Sequence, residues 1–324
     1  MASNKSLQRA RNNKNDEFYT QLTDIQKEVS HYVKEFEGKT VICNCDDPRV
    51  SNFVVYFALN FKSFKLKRLI ATCYKSQEPD LFSQQDSETA LYLDYDGSTP
   101  CNSVQELLSL PMHPLKGDGD FRSEECLALL NQADIVCTNP PFSLFRQYID
   151  ILIAHKKQFL IIGNQNNITY KEVIGHIMDG NLWTGYNYGE MEFTVPDYYE
   201  PKAVRYWQDE TGQKWRSFGN ICWYTNLPMK RRYEELITWK QYDPELYPKY
   251  DNYDAIEVCP YKDIPVDYDG KMGVPVTFVN SYNPNQFEIL GIDRYIEDNP
   301  IPNRRFTING QEKQGRIVIR RIKK

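Results

Sequence analysis

Short unbroken apolar runs alternate with amphipathic stretches through the first 180 residues of the chain. Ile25, Val29, Tyr32, Val33 and Phe36 share one face of a helix that Thr23 and Gln26 would open as a capping box and Gly38 would close. TVICNC (40–45) is too short for a helix and rich in β-formers. SNFVVYFALNF (51–61) reads as a helix and KRLIATCY (67–74) as a second buried strand. Strand, helix, strand is the grammar of a parallel sheet. Residues 75–115 read as an irregular insertion, broken by Pro79, Pro100, Pro111 and Pro114, with one helix at SVQELLSL. The alternation then resumes: a helix over 123–132 capped by Ser123, a third strand at DIVCTN (134–139), a helix over 143–157, a fourth strand at QFLIIG (158–163) and a helix over 171–180.

From 188 to 226 the pattern turns to β-hairpins, with AVRYWQ and KWRSF flanking the turn DETG and GNICWYT following. After residue 227 prolines recur, tyrosines are dense and helical periodicity fades, as expected of a β-and-loop region. The reading is an α/β protein: a Rossmann-like, doubly wound, mostly parallel sheet with a hairpin edge over 16–227, a smaller region over 228–324, and a basic arm over 1–15.

Composition changes this picture little. Over 324 residues, 41% hydrophobic and 26% charged side chains suit a packed core. No apolar run approaches the roughly 20 residues that cross a bilayer, and the N-terminus is polar, so a cytoplasmic protein without a membrane is expected. Eight cysteines without a CxxC pair, and four histidines outside metal-ligand spacing, read as reduced core thiols with no metal site. Charge changes the picture more. The net −5 argues against a polyanionic partner, yet residues 1–14 carry +4 and residues 304–324 carry +7, leaving −16 on the rest. Two basic ends on an acidic body read either as solvated tails or as a face turned toward nucleic acid, and RIVIRRI in the C-terminal run alternates like a strand.

Ligands of open α/β sheets bind at the carboxyl ends of the strands. After the first strand stands Asn44-Cys45-Asp46-Asp47-Pro48, and after the third Asn139-Pro140-Pro141-Phe142. The prolines fix the backbone of the second segment and add no competing donors, which makes a rigid polar ledge. The Asn139 side-chain oxygen and the Pro140 carbonyl can accept both hydrogens of a planar amino group while Phe142 stacks on its ring. Two acceptors out of the ring plane localise the nitrogen lone pair, so positioning and electrostatics replace a strong base or a covalent adduct. The absence of GxxxxGK[ST] disfavours a nucleotide hydrolase.

DEFYTQ, CNCDDPRVSNF, DIVCTNPPF, GNICWYTN and GVPVTFV…YNPNQFEILG, in this order, resemble the EcoRI adenine methylase family, amino-type DNA methyltransferases that use S-adenosylmethionine. The likeness runs from about residue 14 to 292. It implies transfer of a methyl group to the N6 amino group of an adenine flipped out of duplex DNA, in a restriction-modification or phage and host setting. A cognate restriction endonuclease and a monomeric enzyme belong to the same expectation.

Carried over by motif, Asn139, Pro140, Pro141 and Phe142 are the catalytic segment. Phe18, Tyr19 and Thr20 line the methionine end of the cofactor. Asn44, Asp46, Asp47 and Pro48 replace the usual glycine-rich loop, with either aspartate facing the cofactor's positive charge. Asp120 and Phe121 take its adenine, with Asp118 as the rival carboxylate. The acidic ribose ligand of the wider superfamily is missing, replaced by Thr72-Cys73-Tyr74. Tyr188 and Cys222-Trp223-Tyr224 are candidate walls of the base pocket. DNA would meet Lys230, Arg231, Arg232, Arg304, Arg305, Arg316, Arg320 and Arg321, some on phosphates and some on base edges. The same chemistry on RNA or on a protein glutamine, and a catalytically silent DNA-binding relative, are the alternatives.

Overall fold

The computed structural model describes residues 18–74, 90–197, 199–301 and 303–323. The basic arm with Lys5, Arg9, Arg11 and Lys14 lies outside them. Contacts divide the chain into two compact units, Met1–Asn164 with Asn187–Pro228, and Gln165–Tyr186 with Met229–Lys324.

The first unit is organised by a ten-stranded sheet. Its strands are β1 (Tyr19–Thr20), β2 (Thr40–Cys43), β3 (Arg68–Thr72), β4 (Leu91–Tyr95), β5 (Met112–Pro114), β6 (Ile135–Thr138), β7 (Gln158–Asn164), β8 (Trp183–Thr194), β9 (Tyr206–Gln208) and β10 (Lys214–Thr225). They lie in the order β1-β8-β10-β7-β6-β2-β3-β4-β5, with β9 on β10. The centre β7-β6-β2-β3 is parallel, as the buried apolar runs predict, and this is the Rossmann-like methyltransferase core. Every residue of β2 and β6 is buried.

Between β2 and β3 runs the helix Asn52–Leu59. Ser51 caps it by accepting the Phe53 N–H at 3.1 Å, and six of its eight residues are buried, as expected of a helix apolar all round. Ser123 caps the helix Glu124–Gln132 in the same way through the Cys126 N–H.

Three local expectations are corrected. The first helix, Leu22–Val29, opens at Gln21 with no side-chain cap, so the Thr23–Gln26 capping box is not made. The helix then tightens into a 3-10 turn over Ser30–Phe36, which leaves Val33 exposed. The supposed insertion contributes two sheet strands, β4 antiparallel to β3 and β5 antiparallel to β4. KWRSF and GNICWYT are one strand, β10, which pairs with β9 at one end and with β7 at the other.

The second unit carries a four-stranded sheet in the order β11 (Ile256–Glu257), β12 (Met272–Pro275), β16 (Arg316–Arg321), β13 (Phe287–Ile292), and a small pair, β14 (Thr307–Ile308) with β15 (Gln311–Glu312). The helix Lys171–Met178 belongs to this unit and packs against β13. The alternating RIVIRRI run is the central strand β16, and Ile317, Val318 and Ile319 are all fully buried. Among the described residues, no helix is long and apolar enough to cross a membrane, and the cysteines are free thiols.

Candidate active site

The parallel centre changes direction at β2: the chain continues to β3 on one side and returns as β6 on the other. That switch point, at the carboxyl ends of β2 and β6, is where open α/β sheets take their ligands. Both polar segments read from the sequence fall there.

After β2, Asp46 is 8% exposed. It accepts hydrogen bonds from Ser51 Oγ at 2.6 Å, from Thr138 Oγ1 at the end of β6, and from the Asn139 backbone N–H. Its own backbone N–H donates to Thr72 O of β3 at 3.0 Å, so three strand ends meet at one residue. Burial outweighs those hydrogen bonds and pushes the Asp46 carboxyl up to about 6. Asp47 is held instead by the Arg49 guanidinium at 2.6 and 3.0 Å and by the Arg49 N–H. Of the two aspartates, Asp46 is the buried one and the one bonded to the end of β6. Pro48 is buried beside it.

Asn44 is 2% exposed and accepts the Tyr148 hydroxyl on its side-chain oxygen. The Tyr148 ring in turn meets Phe121 edge-on at 5.0 Å. Gly119 brings this last segment over the end of β3. It has φ +77°, and a Cβ there would lie 2.0 Å from Cys73 O, so only glycine fits. Asp120 is gripped by the Arg122 guanidinium at 2.5 and 2.9 Å, which lowers its pKa, while exposed Asp118 accepts the Asp120 N–H.

After β6, Asn139 donates from Nδ2 to Phe18 O at 2.6 Å. A backbone carbonyl can only accept, so the amide orientation is fixed and Oδ1 points elsewhere. That oxygen is buried and has no hydrogen-bond partner. The segment Phe18–Thr20 is held in place by β1 pairing on β8 at Phe193 and Thr194, and by Asn52 Nδ2 on Thr20 O at 2.7 Å. Phe142 opens a 3-10 turn, its ring 5.4 Å from Phe18, 6.0 Å from Phe218 and 6.5 Å from Phe193. Phe18 also meets Phe218 at 4.9 Å and Tyr199 at 6.0 Å. An unsatisfied acceptor thus stands beside a cluster of aromatic rings. Phe193, Phe218, Tyr199 and Tyr148 lie outside the motifs that carry the resemblance, and Ser51 and Thr138, inside CNCDDPRVSNF and DIVCTNPPF, carry no assigned role there.

The strand Cys222-Trp223-Tyr224 does not wall a pocket. All three side chains are fully buried, Trp223 against Phe53 at 5.8 Å and Tyr224 against Phe145 at 4.8 Å with its hydroxyl on Asn164 O. Tyr188 is exposed.

The basic residues divide. Lys230 and Arg304 are exposed, Arg305 is half-buried, and exposed Arg320 pairs with Glu288 at 2.7 Å. Arg231 donates to Tyr186 O at 2.7 Å, and Arg232 lies over Trp183. Arg321 turns inward onto Thr238 Oγ1 and Pro265 O and over the Phe287 ring. Arg316 is 8% exposed and doubly bonded to Glu257, so its charge is spent inside the sheet rather than offered at a surface. Gly273, on the strand between them, leaves room for Tyr250, whose hydroxyl donates to Glu257; a Cβ there would lie 2.1 Å from that hydroxyl.

Comparison with known proteins shows the family. The model of the family described as adenine-specific methyltransferase EcoRI matches residues 6–322. The chain is 44% identical over 323 residues to the Type II methyltransferase M.EcoRI of Escherichia coli, covering 98% of this chain and 97% of that one. It is 40% identical over 289 residues to the Type II methyltransferase M.MgeORF184P of Mycoplasma genitalium, and 38% identical over 288 residues to the Type II methyltransferase M.MpnI of Mycoplasma pneumoniae. Each alignment covers 87% of this chain and 84% of the relative. No solved structure matches.

Proposed function

Since the chain belongs to the EcoRI family of adenine-specific methyltransferases and is thus a site-specific DNA adenine methyltransferase, we propose that it moves the methyl group of S-adenosylmethionine to the N6 amino group of an adenine flipped from duplex DNA. When bound, S-adenosylmethionine supplies a methyl group made electrophilic by a sulfonium centre.

The residues at the switch point fit that cofactor. Asp46 is a buried carboxylate whose partners are two hydroxyls and a backbone N–H, none of them charged, and it suits the cofactor's ammonium or sulfonium. Asn44, Asp46 and Pro48 would form the floor, with Asp47 bracing the loop through Arg49. Phe18, Tyr19 and Thr20 would flank the methionine end, where Thr20 Oγ1 is buried without a partner. Phe121, with Asp120 or Asp118, would take the adenine ring.

The observation that carries the catalytic reading is the free Oδ1 of Asn139, aligned by Phe18 and flanked by Phe142. Asn139 Oδ1 and the Pro140 carbonyl accept from the adenine amino group and localise its lone pair. Pro140 and Pro141 keep the ledge from relaxing, and Phe142 stacks on the flipped base, a contact worth ~1–3 kcal/mol. No side chain here need act as a strong base; the proton leaves the methylated nitrogen for water. Lys230, Arg231, Arg232, Arg304, Arg305 and Arg320 would meet DNA, the exposed ones on phosphates. The acting form is a cytoplasmic monomer in a bacterial or phage-infected cell, accompanied by a cognate endonuclease.

The test is to incubate the purified chain with S-adenosylmethionine and plasmid, then sequence modified bases directly. N6-methyladenine confined to one short sequence is expected; unmodified DNA, or a mark on another base, would overturn the proposal.

A further inference from the structure

The second unit holds a concave surface with apolar walls and a polar group of Trp183, Arg231, Arg232, Asn280 and Tyr282. The Arg232 guanidinium lies flat enough on Trp183 to sit 3.6 Å from the ring centroid. Room for it comes from Gly180, whose absent Cβ would stand 3.0 Å from Arg232 Nη2 and whose φ of +71° disfavours any other residue. Stacking of this kind holds a guanidinium as a rigid planar fork. Arg231 is anchored beside it through Tyr186 O.

In the same lining, Asn280 is 6% exposed and its Oδ1 has no hydrogen-bond partner. A buried acceptor left unpaired is costly and therefore asks for an explanation. Burial raises the Tyr282 hydroxyl further above its ordinary value against the pull of Arg232, and at neutral pH it is a donor. None of the lining residues is acidic.

We propose that this concavity reads one base pair of the target sequence. Arg232 donates to a ring nitrogen or carbonyl on the base edge, and Asn280 Oδ1 accepts from the neighbouring exocyclic amino group. The inference rests on the reading of the chain as a methyltransferase of duplex DNA. Charge alone would equally suit a phosphate. The acceptor decides between them: a phosphate offers only acceptors and would leave Asn280 Oδ1 unsatisfied, whereas a major-groove base edge sets a donor beside an acceptor. The apolar walls exclude water from those hydrogen bonds and so sharpen discrimination.

The experiment uses the full chain, wild type and the variants Arg232→Lys and Asn280→Ala, on a random-sequence duplex library. Methylated adenines are sequenced, and the same library is selected by binding so that a slow variant still reports. Both variants should relax the preferred sequence at one shared position, with discrimination there falling roughly tenfold to a hundredfold and the other positions kept. Arg232→Lys preserves charge on a partly exposed side chain, so it stays informative should Asn280→Ala disturb folding. A uniform weakening over all sequences with a flatter salt dependence would assign the site to phosphate and overturn base reading, as would an unchanged sequence profile. A wild-type enzyme that leaves the library unmodified would instead bring down the reading of function, and this site with it.

Discussion

Asn139 gives its amide N–H to the backbone carbonyl of Phe18 at 2.6 Å, across 121 residues of sequence. The pairing occupies the nitrogen and leaves the side-chain oxygen without a partner, and it ties the N-terminal FYT segment to the proposed catalytic ledge.

Replacing Asn139 by Asp keeps shape but sets an acceptor against the Phe18 carbonyl, which repels it and turns the side chain. Methyl transfer in a single turnover should fall by about 10²–10³-fold, the usual scale for losing one oriented polar group, and Asn139→Ala should fall at least as far. Cofactor and DNA affinities, measured by titration, should change little. Transfer at the wild-type rate in Asn139→Asp would remove the alignment argument.

Asp46 makes stability depend on pH. Its carboxyl is pushed up to about 6 in the fold, above the ordinary value near ~3.9. The folded state therefore binds a proton more readily than the unfolded chain, so the contribution is greatest below about pH 4 and is lost as pH rises through 6. The penalty for holding the charged form at neutral pH is on the order of 3 kcal/mol. Asp46→Asn should stabilise the free protein at pH 7.5 and flatten its urea stability between pH 4 and 6.5, while cofactor affinity drops. An unaltered pH profile in the variant would assign the titration elsewhere.

Gly119→Ala should be disproportionately harmful for one methyl group. The left-handed backbone and the 2.0 Å approach to Cys73 O leave the new Cβ no space, and the obstacle is backbone. A loss of more than ~1 kcal/mol in thermal or denaturant unfolding is expected, with a raised KM for the cofactor because Asp120 and Phe121 ride on the same turn. A normal KM would detach that turn from cofactor binding.

The arginines of the C-terminal run should separate into two classes. Arg316→Ala strands Glu257 in the sheet and should cost ~3–5 kcal/mol of stability. Arg304→Ala should stay within ~0.5 kcal/mol of wild type but weaken DNA binding and lower its salt slope by about one. Equal behaviour of the two variants in unfolding titrations would contradict the division.

Much of the catalytic fold is legible in the chain because its strands are buried on both faces and so read as continuous apolar runs; TVICNC, DIVCTN and QFLIIG are such cases. LYLDY and MHP are short and partly polar, and they became strands β4 and β5 by adding to an existing edge. Of the site, Asn139 and Asp46 stood out because each interrupts such a run with a polar group. Phe193 and Phe218 did not. They arrive beside Phe142 only through the pairing of β1 with β8 and the place of β8 next to β10, which no local pattern announces. Tyr148 lies within the helix read over 143–157 and draws no notice in the sequence; only its hydroxyl on Asn44, 104 residues away, brings it to the candidate site. The basic tail misled through composition. Eight like charges suggested one surface, yet Arg316 and Arg321 are drawn into the sheet by partners far off in sequence.

The helix Lys171–Met178 has a bearing on how such enzymes could exchange target preference. It lies within the stretch that reads as catalytic, yet its buried Val173, Ile174 and Ile177 belong to the unit built around β13. A crossover near residue 228 would thus import a foreign sheet against a resident helix shaped for another. Inheritance of a new recognition region as one piece would require residues 165–186 to travel with it, two segments of the gene moving as a single structural allele.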